Sequence, residues 1–381
     1  MSEFKIKPIL KFGKDSLNEL SSLKYQSALI ITDQSMLKFG IADSVISSLK
    51  SSTSITCFPN VTPDPDITVI ASGMNTFLVT KPDLVIAVGG GSVIDAAKGI
   101  LFALAKDNKL EEKPYFIAIP TTSGTGSEVT SFSVIKSKNQ KWVIVDDYML
   151  PDLAILDPVL VKSVPSQITA DTGMDVLCHA LETYVSTSAS DFTDALAEKA
   201  AQLVFKHLVD CYQHGDDLNG REKLHNASYI AGMAFTNASL GITHSLAHAL
   251  GGQFKIPHGR ANSLLMSNVV AFNADYKGKC DTSAAKKYCN LAKTLGLPSS
   301  NTREGVCSLI LAIDTLRDSL NMPNSIKECG VTDSAFVGAL KDMSQLALKD
   351  GCTPTNPKQP SLVELERLYK NSFLQASISH H

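Results

Sequence analysis

The chain has 381 residues, 44% hydrophobic and 19% charged, enough for about two domains with sizeable buried cores. Its 35 basic and 38 acidic residues leave a net charge of −3, with no Lys/Arg run of five or more, so nothing points to nucleic acid or to a polybasic membrane surface. No uninterrupted apolar stretch reaches the ~18 residues of a membrane helix. The opening Met-Ser-Glu-Phe-Lys-Ile-Lys lacks the apolar core of a secretory signal, and the eight cysteines form no C-x-x-C. The expectation is a cytoplasmic chain with reduced, mostly buried thiols and no cysteine-based zinc site.

From the start, short β-branched or aliphatic runs alternate with helix-period segments. Strands are expected over Ala28–Thr32, Ser54–Phe58, Asp83–Val88, Tyr115–Ile119 and Leu153–Leu156, and helices over Ile67–Val79 and Ser92–Ala105. Continuous apolar strands of this kind are buried on both faces, which points to a parallel α/β sheet. Asp33 closes the first strand. Its carboxylate could bond a ribose hydroxyl and repel the extra phosphate of NADP, or simply cap the helix that follows.

The strand ending at Val88 runs into Gly89-Gly90-Gly91-Ser92 and then a helix. Glycines at such a turn let backbone N–H groups approach an anion, and the helix start adds partial positive charge. The same glycines also suit a tight βα turn with no ligand, and Ile94 stands where a full G-x-G-x-x-G would need its third glycine. The next strand opens into Pro120-Thr-Thr-Ser-Gly-Thr-Gly-Ser-Glu128, a second loop of hydroxyls and glycines. It too lies at a strand's C-terminal end, where open α/β sheets bind ligands; a capped helix start is the plainer reading. A β-hairpin is expected from Ser131–Ile135 and Trp142–Val145.

After Val164-Pro165 helical patterns dominate: Asp171–Val185, Asp191–Val209, Arg221–Phe235, Ala261–Phe272, Thr302–Ser319, Asp333–Leu348 and Ser361–Ser372. The boundary is therefore placed near 165, giving a dinucleotide-binding α/β domain over 1–165 and an all-helical metal- and substrate-binding domain over 166–381. Asp175 and His179 stand i, i+4 on the first of these helices and so share a face. His244 and His248 repeat that spacing, and His258 follows. Three of the seven histidines outside the tail thus fall within fifteen residues. Imidazole and carboxylate donors without thiolate suit Fe²⁺, Zn²⁺, Mn²⁺ or Co²⁺. Five candidate ligands are more than a catalytic site with an open position uses.

Together, Gly89-Gly-Gly-Ser92, Pro120–Glu128, Thr172-Gly-Met-Asp175-Val-Leu-Cys-His179 and His244-x₃-His248-x₉-His258-Gly259 resemble the iron-containing (group III) alcohol dehydrogenases, over essentially the whole chain. Within that family, the stretches Ser163–Glu182 and Ser190–Ala200 are most similar to the propanol dehydrogenases of propanediol-utilisation microcompartments. The resemblance implies a Rossmann-like parallel-sheet domain followed by an all-α domain, the fold shared with dehydroquinate synthase. It implies that Asp175, His179, His244 and His258 hold Fe²⁺ (or Zn²⁺), with His248 beside substrate and nicotinamide. In the first domain it implies that Gly89, Gly90, Gly91 and Ser92 hold the diphosphate of NAD(H), and that Asp33 and Asp64 lie near the adenosine. Thr121, Thr122, Thr125 and Lys141 would line the cofactor cleft. Cys178, adjacent to His179, is expected to point to another helix face and serve packing.

The implied reaction is NADH-dependent reduction of a short aldehyde, propionaldehyde to 1-propanol, with the reacting centre between the domains. The implied assembly is a homodimer or larger, with aldehyde dehydrogenase or microcompartment shell proteins as partners and a microcompartment interior as location. Two rival readings differ in class. A lyase resembling dehydroquinate synthase would need cations for a phosphorylated substrate, and residues 230–260 offer only Lys255 and Arg260. A non-catalytic scaffold is disfavoured by intact metal and glycine motifs.

Overall fold

The computed structural model describes residues 3–110, 112–137 and 140–374, and the side chains of all of these except Ser137, Gln140 and Lys141. The described chain forms two compact units. One comprises residues 5–164 with 215–232; the other comprises residues 3–4, 165–214 and 233–374.

The first unit is built on six parallel strands: β1 (Ile9–Phe12), β2 (Ser27–Ile31), β3 (Ser54–Phe58), β4 (Leu84–Gly89), β5 (Tyr115–Pro120) and β8 (Leu153–Leu156), in the order β1-β8-β5-β4-β2-β3. Every residue of β4 is buried, because helices cover both faces and the strand can be apolar throughout. Alternate side chains serve opposite cores. Val85 and Ala87 join Leu29, Ile31, Phe116 and Ile100 on one side, while Leu84, Ile86 and Val88 join Ile30, Ile117, Ile155 and Val45 on the other. The connecting helices are α1 (Gln34–Lys38), α2 (Ile41–Ser48), α3 (Ile67–Thr80) and α4 (Gly91–Lys106).

The chain leaves β2 for β3 on one side, then returns to place β4 on the other. This reversal opens a crevice at the C-terminal edge between β2 and β4, the usual ligand position of open α/β sheets. The expected strands are present, shifted by a residue at some ends. Strand β1 is an addition: it is an edge strand whose Ile9 and Phe12 face solvent, so it carries no burial pattern to read. The hairpin is β6 (Phe132–Ser137) with β7 (Gln140–Val145), and its pairing extends through Lys136↔Lys141 and Ser137↔Gln140, further than expected.

The second unit is helical in its described residues: α5 (Ser166–Val185), α6 (Asp191–Gln213), α8 (Ile242–Phe254), α9 (His258–Asn273), α10 (Ser283–Thr294), α11 (Thr302–Ser319), α12 (Asp333–Lys349) and α13 (Leu362–Leu374), with the C-terminal part of α7 (Leu218–Ala238). Hydroxyl, amide and carboxylate caps fix several starts: Asp66 for α3, Ser190 for α6, Thr282 for α10 and Asn301 for α11. Helix α5 begins five residues before its expected start. Helices α8 and α10 were not delimited from the sequence; α8 contains Gly251-Gly252 and α10 is short and lysine-rich. The earlier part of α7 belongs to the sheet unit, where Tyr229 reaches the Pro8 carbonyl (3.4 Å) and a Cβ on Gly232 would lie 3.1 Å from the Gly126 Cα. The single division at 165 does not include this return of the chain.

Candidate functional site

In the sheet unit, three neighbouring strands deliver the candidate cofactor residues to one edge. Asp33 follows β2, Gly89 ends β4 opposite Pro120 of β5, and Thr121 follows directly. The two loops interlock. A Cβ on Gly90 would lie 3.3 Å from Thr122 Oγ1, a tight fit, and one on Gly91 only 2.7 Å from Thr125 Cγ2, closer than a side chain can sit without a shift. Gly90 is also the N-cap of α4 and contributes no side-chain acceptor. The first turn of that helix is therefore left with backbone donors suited to an anion. Ser92 Oγ accepts a hydrogen bond from the backbone N–H of Asp64 (3.4 Å), whose φ of 53° is left-handed, so these two candidates also meet. Thr121 Oγ1 is buried with no partner among the described residues. Asp33 Oδ1 accepts from Ser35 N–H (2.7 Å) and Met36 N–H (3.1 Å), so its carboxylate caps α1 at the mouth of the crevice. Lys141 lies on β7, and its side chain is outside the described residues.

Three residues brace the second loop: Asp95 and Lys98, visible in the sequence on the helix after the glycine turn but with no role to assign, and His225, which carried no signal. His225 of α7 bonds Ser123 Oγ through Nδ1 (2.9 Å), and burial lowers its pKa to about 4, keeping the ring neutral. Lys98, fully buried, donates to the carbonyls of Ser127 (2.5 Å), Thr130 (2.7 Å) and Phe132 (2.8 Å), with the Ser127 and Thr130 hydroxyls at 3.1 Å. Burial draws its pKa down to about 8. Asp95 takes Ser127 Oγ (2.6 Å) and Val134 N–H (3.1 Å).

In the helical unit, α5, α8 and α9 bring the polar cluster together. On α5, Asp175, Cys178, His179 and Glu182 follow helical spacing and form one stripe. Around Asp175 Oδ1 stand His258 Nε2 at 3.5 Å, His244 Nε2 at 3.7 Å and His179 Nε2 at 4.0 Å. The His179 and His244 rings stack at 4.7 Å. Donors held about 2.1 Å from one tetrahedral cation would lie roughly 3.4 Å apart; Asp175, His244 and His258, with donor atoms within 4.8 Å of one another, come near that spacing, and His179 stands furthest from Asp175. Burial brings the His179 pKa down to about 4, which leaves a neutral ring with a lone pair to give; its Nδ1 is buried without a partner among the described residues. Burial alone would raise Asp175, yet His258, His179 and His244 around it hold it far below the usual carboxylate range.

The cluster is braced by residues not anticipated from the sequence. Glu182 accepts from His244 Nδ1 (2.6 Å), Gly241 N–H (3.0 Å) and Thr243 N–H (2.5 Å), so one buried carboxylate both orients a ring and caps α8. A Cβ on Gly241 would approach Glu182 Oε1 to 3.0 Å, which is why glycine starts this helix. Asn262 Nδ2 donates to Asp175 Oδ1 (2.7 Å) and lies 3.2 Å from both His244 Nε2 and His258 Nε2. The signal for Glu182 was its place on the Asp175–His179 face; Asn262 stands one turn after His258. Cys178 is buried but does not face away: its Sγ lies 3.7 Å from His244 Nδ1, and burial pushes the thiol up to about 12. His248, one turn beyond His244, stacks on His258 at 5.3 Å, and its Nδ1 is 2.9 Å from Asp350 Oδ2.

Residues 8–158 match the family described as iron-containing alcohol dehydrogenase, and residues 169–373 match the C-terminal region of the Fe-containing alcohol dehydrogenase family. The class of protein is thus an alcohol dehydrogenase, an oxidoreductase. The 1-propanol dehydrogenase PduQ of Citrobacter freundii is 43% identical over 372 residues, spanning 97% of this chain and 99% of that protein. An aldehyde-alcohol dehydrogenase of Streptococcus pneumoniae is 39% identical over 95% of this chain, which spans only 45% of that longer protein. A solved 1,3-propanediol oxidoreductase superposes with a TM-score of 0.90 at 32% identity, covering 98% of this chain and 100% of that one. Sulfoacetaldehyde reductase from Bifidobacterium kashiwanohense, solved in complex with NAD+, gives 0.87 at 27% identity with 100% of both chains covered. The chain belongs to the iron-containing alcohol dehydrogenase family.

Proposed function

We propose that the protein reduces short-chain aldehydes with NADH, propionaldehyde to 1-propanol foremost, and runs reversibly. The observation that supports this reading is the cluster of Asp175, His244 and His258, whose donor atoms lie within 4.8 Å of one another, with His179 beside it at 4.0 Å from Asp175, a nitrogen and oxygen donor set that suits Fe²⁺ and also Zn²⁺. The propionaldehyde assignment draws on the likeness to PduQ, and the NAD(H) assignment on the NAD+-bound relative and on Asp33 at the mouth of the sheet crevice.

When bound, the nicotinamide supplies the hydride and the cation supplies Lewis-acid polarisation of the carbonyl. The chain's own residues do the rest. The Gly89–Ser92 turn and the hydroxyls of Thr121, Thr122 and Thr125 bind and orient the cofactor, with Asp64 and Lys141 beside it. Asp175 keeps its negative charge and neutral His179 offers a lone pair, so these two donors meet a cation without first releasing a proton. His248, turned toward the ligand cluster on α8, delivers the proton that the reduced oxygen needs.

A lyase on this fold finds less support: Arg260, one of the two cations between residues 230 and 260, is already committed to Asp171 at 3.1 and 2.9 Å. The proposal extends to a homodimer or larger assembly inside a bacterial microcompartment, beside an aldehyde dehydrogenase or shell proteins, as the family resemblance of the sequence implies. No helix among the described residues is long and apolar enough to cross a membrane. The test is His258→Ala: metal content and propionaldehyde-dependent NADH oxidation should both be lost while NADH binding by fluorescence persists. Retained turnover in the metal-free variant would overturn the mechanism.

A further inference from the structure

Two carboxylates outside the ligand set hold the two histidines of α8 in the same way. His244 gives its Nδ1 to Glu182 at 2.6 Å and turns Nε2 toward Asp175; His248 gives its Nδ1 to Asp350 at 2.9 Å. We propose that Asp350 is a positioning residue for the reaction, accepting the Nδ1–H hydrogen bond of His248 so that the lone pair on Nε2 is free to take up a proton from water and pass it to the reduced oxygen. This rests on the reading of His248 as the proton-handling group.

The surroundings of Asp350 leave it little choice of role. It follows directly on α12, and its Oδ1 accepts from Cys352 N–H at 2.9 Å and from Ser245 Oγ at 3.2 Å. Ser245 Oγ is in turn 2.8 Å from Thr353 Oγ1. A backbone N–H cannot be turned into an acceptor, so Oδ1 is fixed as the accepting atom and Oδ2 is presented to the ring. An ionised carboxylate accepts only, hence the proton between Oδ2 and Nδ1 belongs to the imidazole. Burial would raise the Asp350 carboxyl, but His248 and Cys352 hold it well below the usual range. The ring is fixed in its plane as well, stacked on His258 with an interplanar angle of 14°.

His248, Asp350 and Cys352 also lie close enough to one another to resemble a second metal cluster. The hydrogen bonds argue otherwise, since Asp350 already has a partner on each oxygen and burial keeps the Cys352 thiol protonated. The trio therefore works as a carboxylate–imidazole pair with a backbone anchor. Its effect is to select one of two neutral tautomers, a choice worth a hundredfold or more when an imidazole handles a proton.

Asparagine at 350 separates this role from packing. The Cys352 N–H requires the amide oxygen on its side, so the amide NH₂ faces His248 Nδ1, which must then accept and move its proton to Nε2. The experiment uses the full-length, zinc-loaded protein with ¹⁵N-labelled histidine, the His248 signals being assigned by their loss in His248→Gln. Wild type should show the Nδ1–H tautomer, and Asp350→Asn the Nε2–H tautomer, with metal content and NADH affinity unchanged. In the same variant kcat for propionaldehyde should fall about a hundredfold or more, with KM changed far less. An Nε2–H tautomer in wild type overturns the proposal whether or not the variant folds, as does a variant kcat within a few-fold of wild type once its tautomer has switched. Wild type that shows the Nδ1–H tautomer but turns over no aldehyde upholds the pairing and removes the functional reading instead.

Discussion

Glu182 shows how one side chain serves structure and chemistry together. It is fully buried, and as a charged group it persists because three donors, two of them at the start of α8, surround its oxygens. The third donor, His244 Nδ1–H, fixes the tautomer that points Nε2 at the ligand cluster. Glu182→Gln keeps the shape but replaces one acceptor with an NH₂ facing a donor. We expect metal affinity to fall about 10- to 100-fold, the usual consequence of losing a group that orients a ligand, read by competitive chelator titration. Undiminished affinity would reduce Glu182 to a helix cap.

At the scale of elements, the site exists because α5 and α9 cross almost in contact. A Cβ on Gly259 would lie 1.9 Å from the Asp171 carbonyl, so the residue after His258 must be glycine for His258 to reach Asp175. Gly259→Ala should force the helices apart, destabilise the fold by about 1–3 kcal/mol and release metal; chemical denaturation and metal analysis on one preparation test both. Unchanged stability with metal retained would show that the crossing adapts. This crossing also marks what the sequence could reveal. The i, i+4 pairs on α5 and α8 were visible as spacing, and the parallel strands as continuous apolar runs. Strand β1, the α8 boundaries and Asp350 were not. An edge strand with exposed side chains has no period to detect, a helix carrying Gly251-Gly252 reads as a loop, and Asp350 meets His248 across 102 residues of chain. Long-range partners of this kind leave no mark on local pattern.

For the whole molecule, acid should act partly through His225. The ring has a folded pKa of about 4 and an ordinary unfolded value near 6.5. The unfolded chain therefore takes up a proton first as pH falls. Stability contributed by the neutral ring is complete above pH 6.5 and declines as pH drops toward 4, by at most about 3 kcal/mol. His225→Phe also loses the Ser123 hydrogen bond, a cost that does not depend on pH, so the test is the slope: the stability gap between wild type and variant should narrow on acidification across this window. A constant gap from pH 7 to 4 would mean that His225 does not titrate between the two states.

Lys98 has a consequence for how the neighbouring loop can behave. Its ammonium gathers three carbonyls and two hydroxyls from Ser127, Thr130 and Phe132 in the dry interior. Slipping any one of them away strands a charge that water cannot reach, so the hub resists piecemeal rearrangement and the segment moves as a block or not at all. On the proposed reading of this loop as part of the cofactor site, an incoming dinucleotide would meet a surface whose conformational entropy was already given up during folding, and would spend little of its binding energy on making the loop hold still.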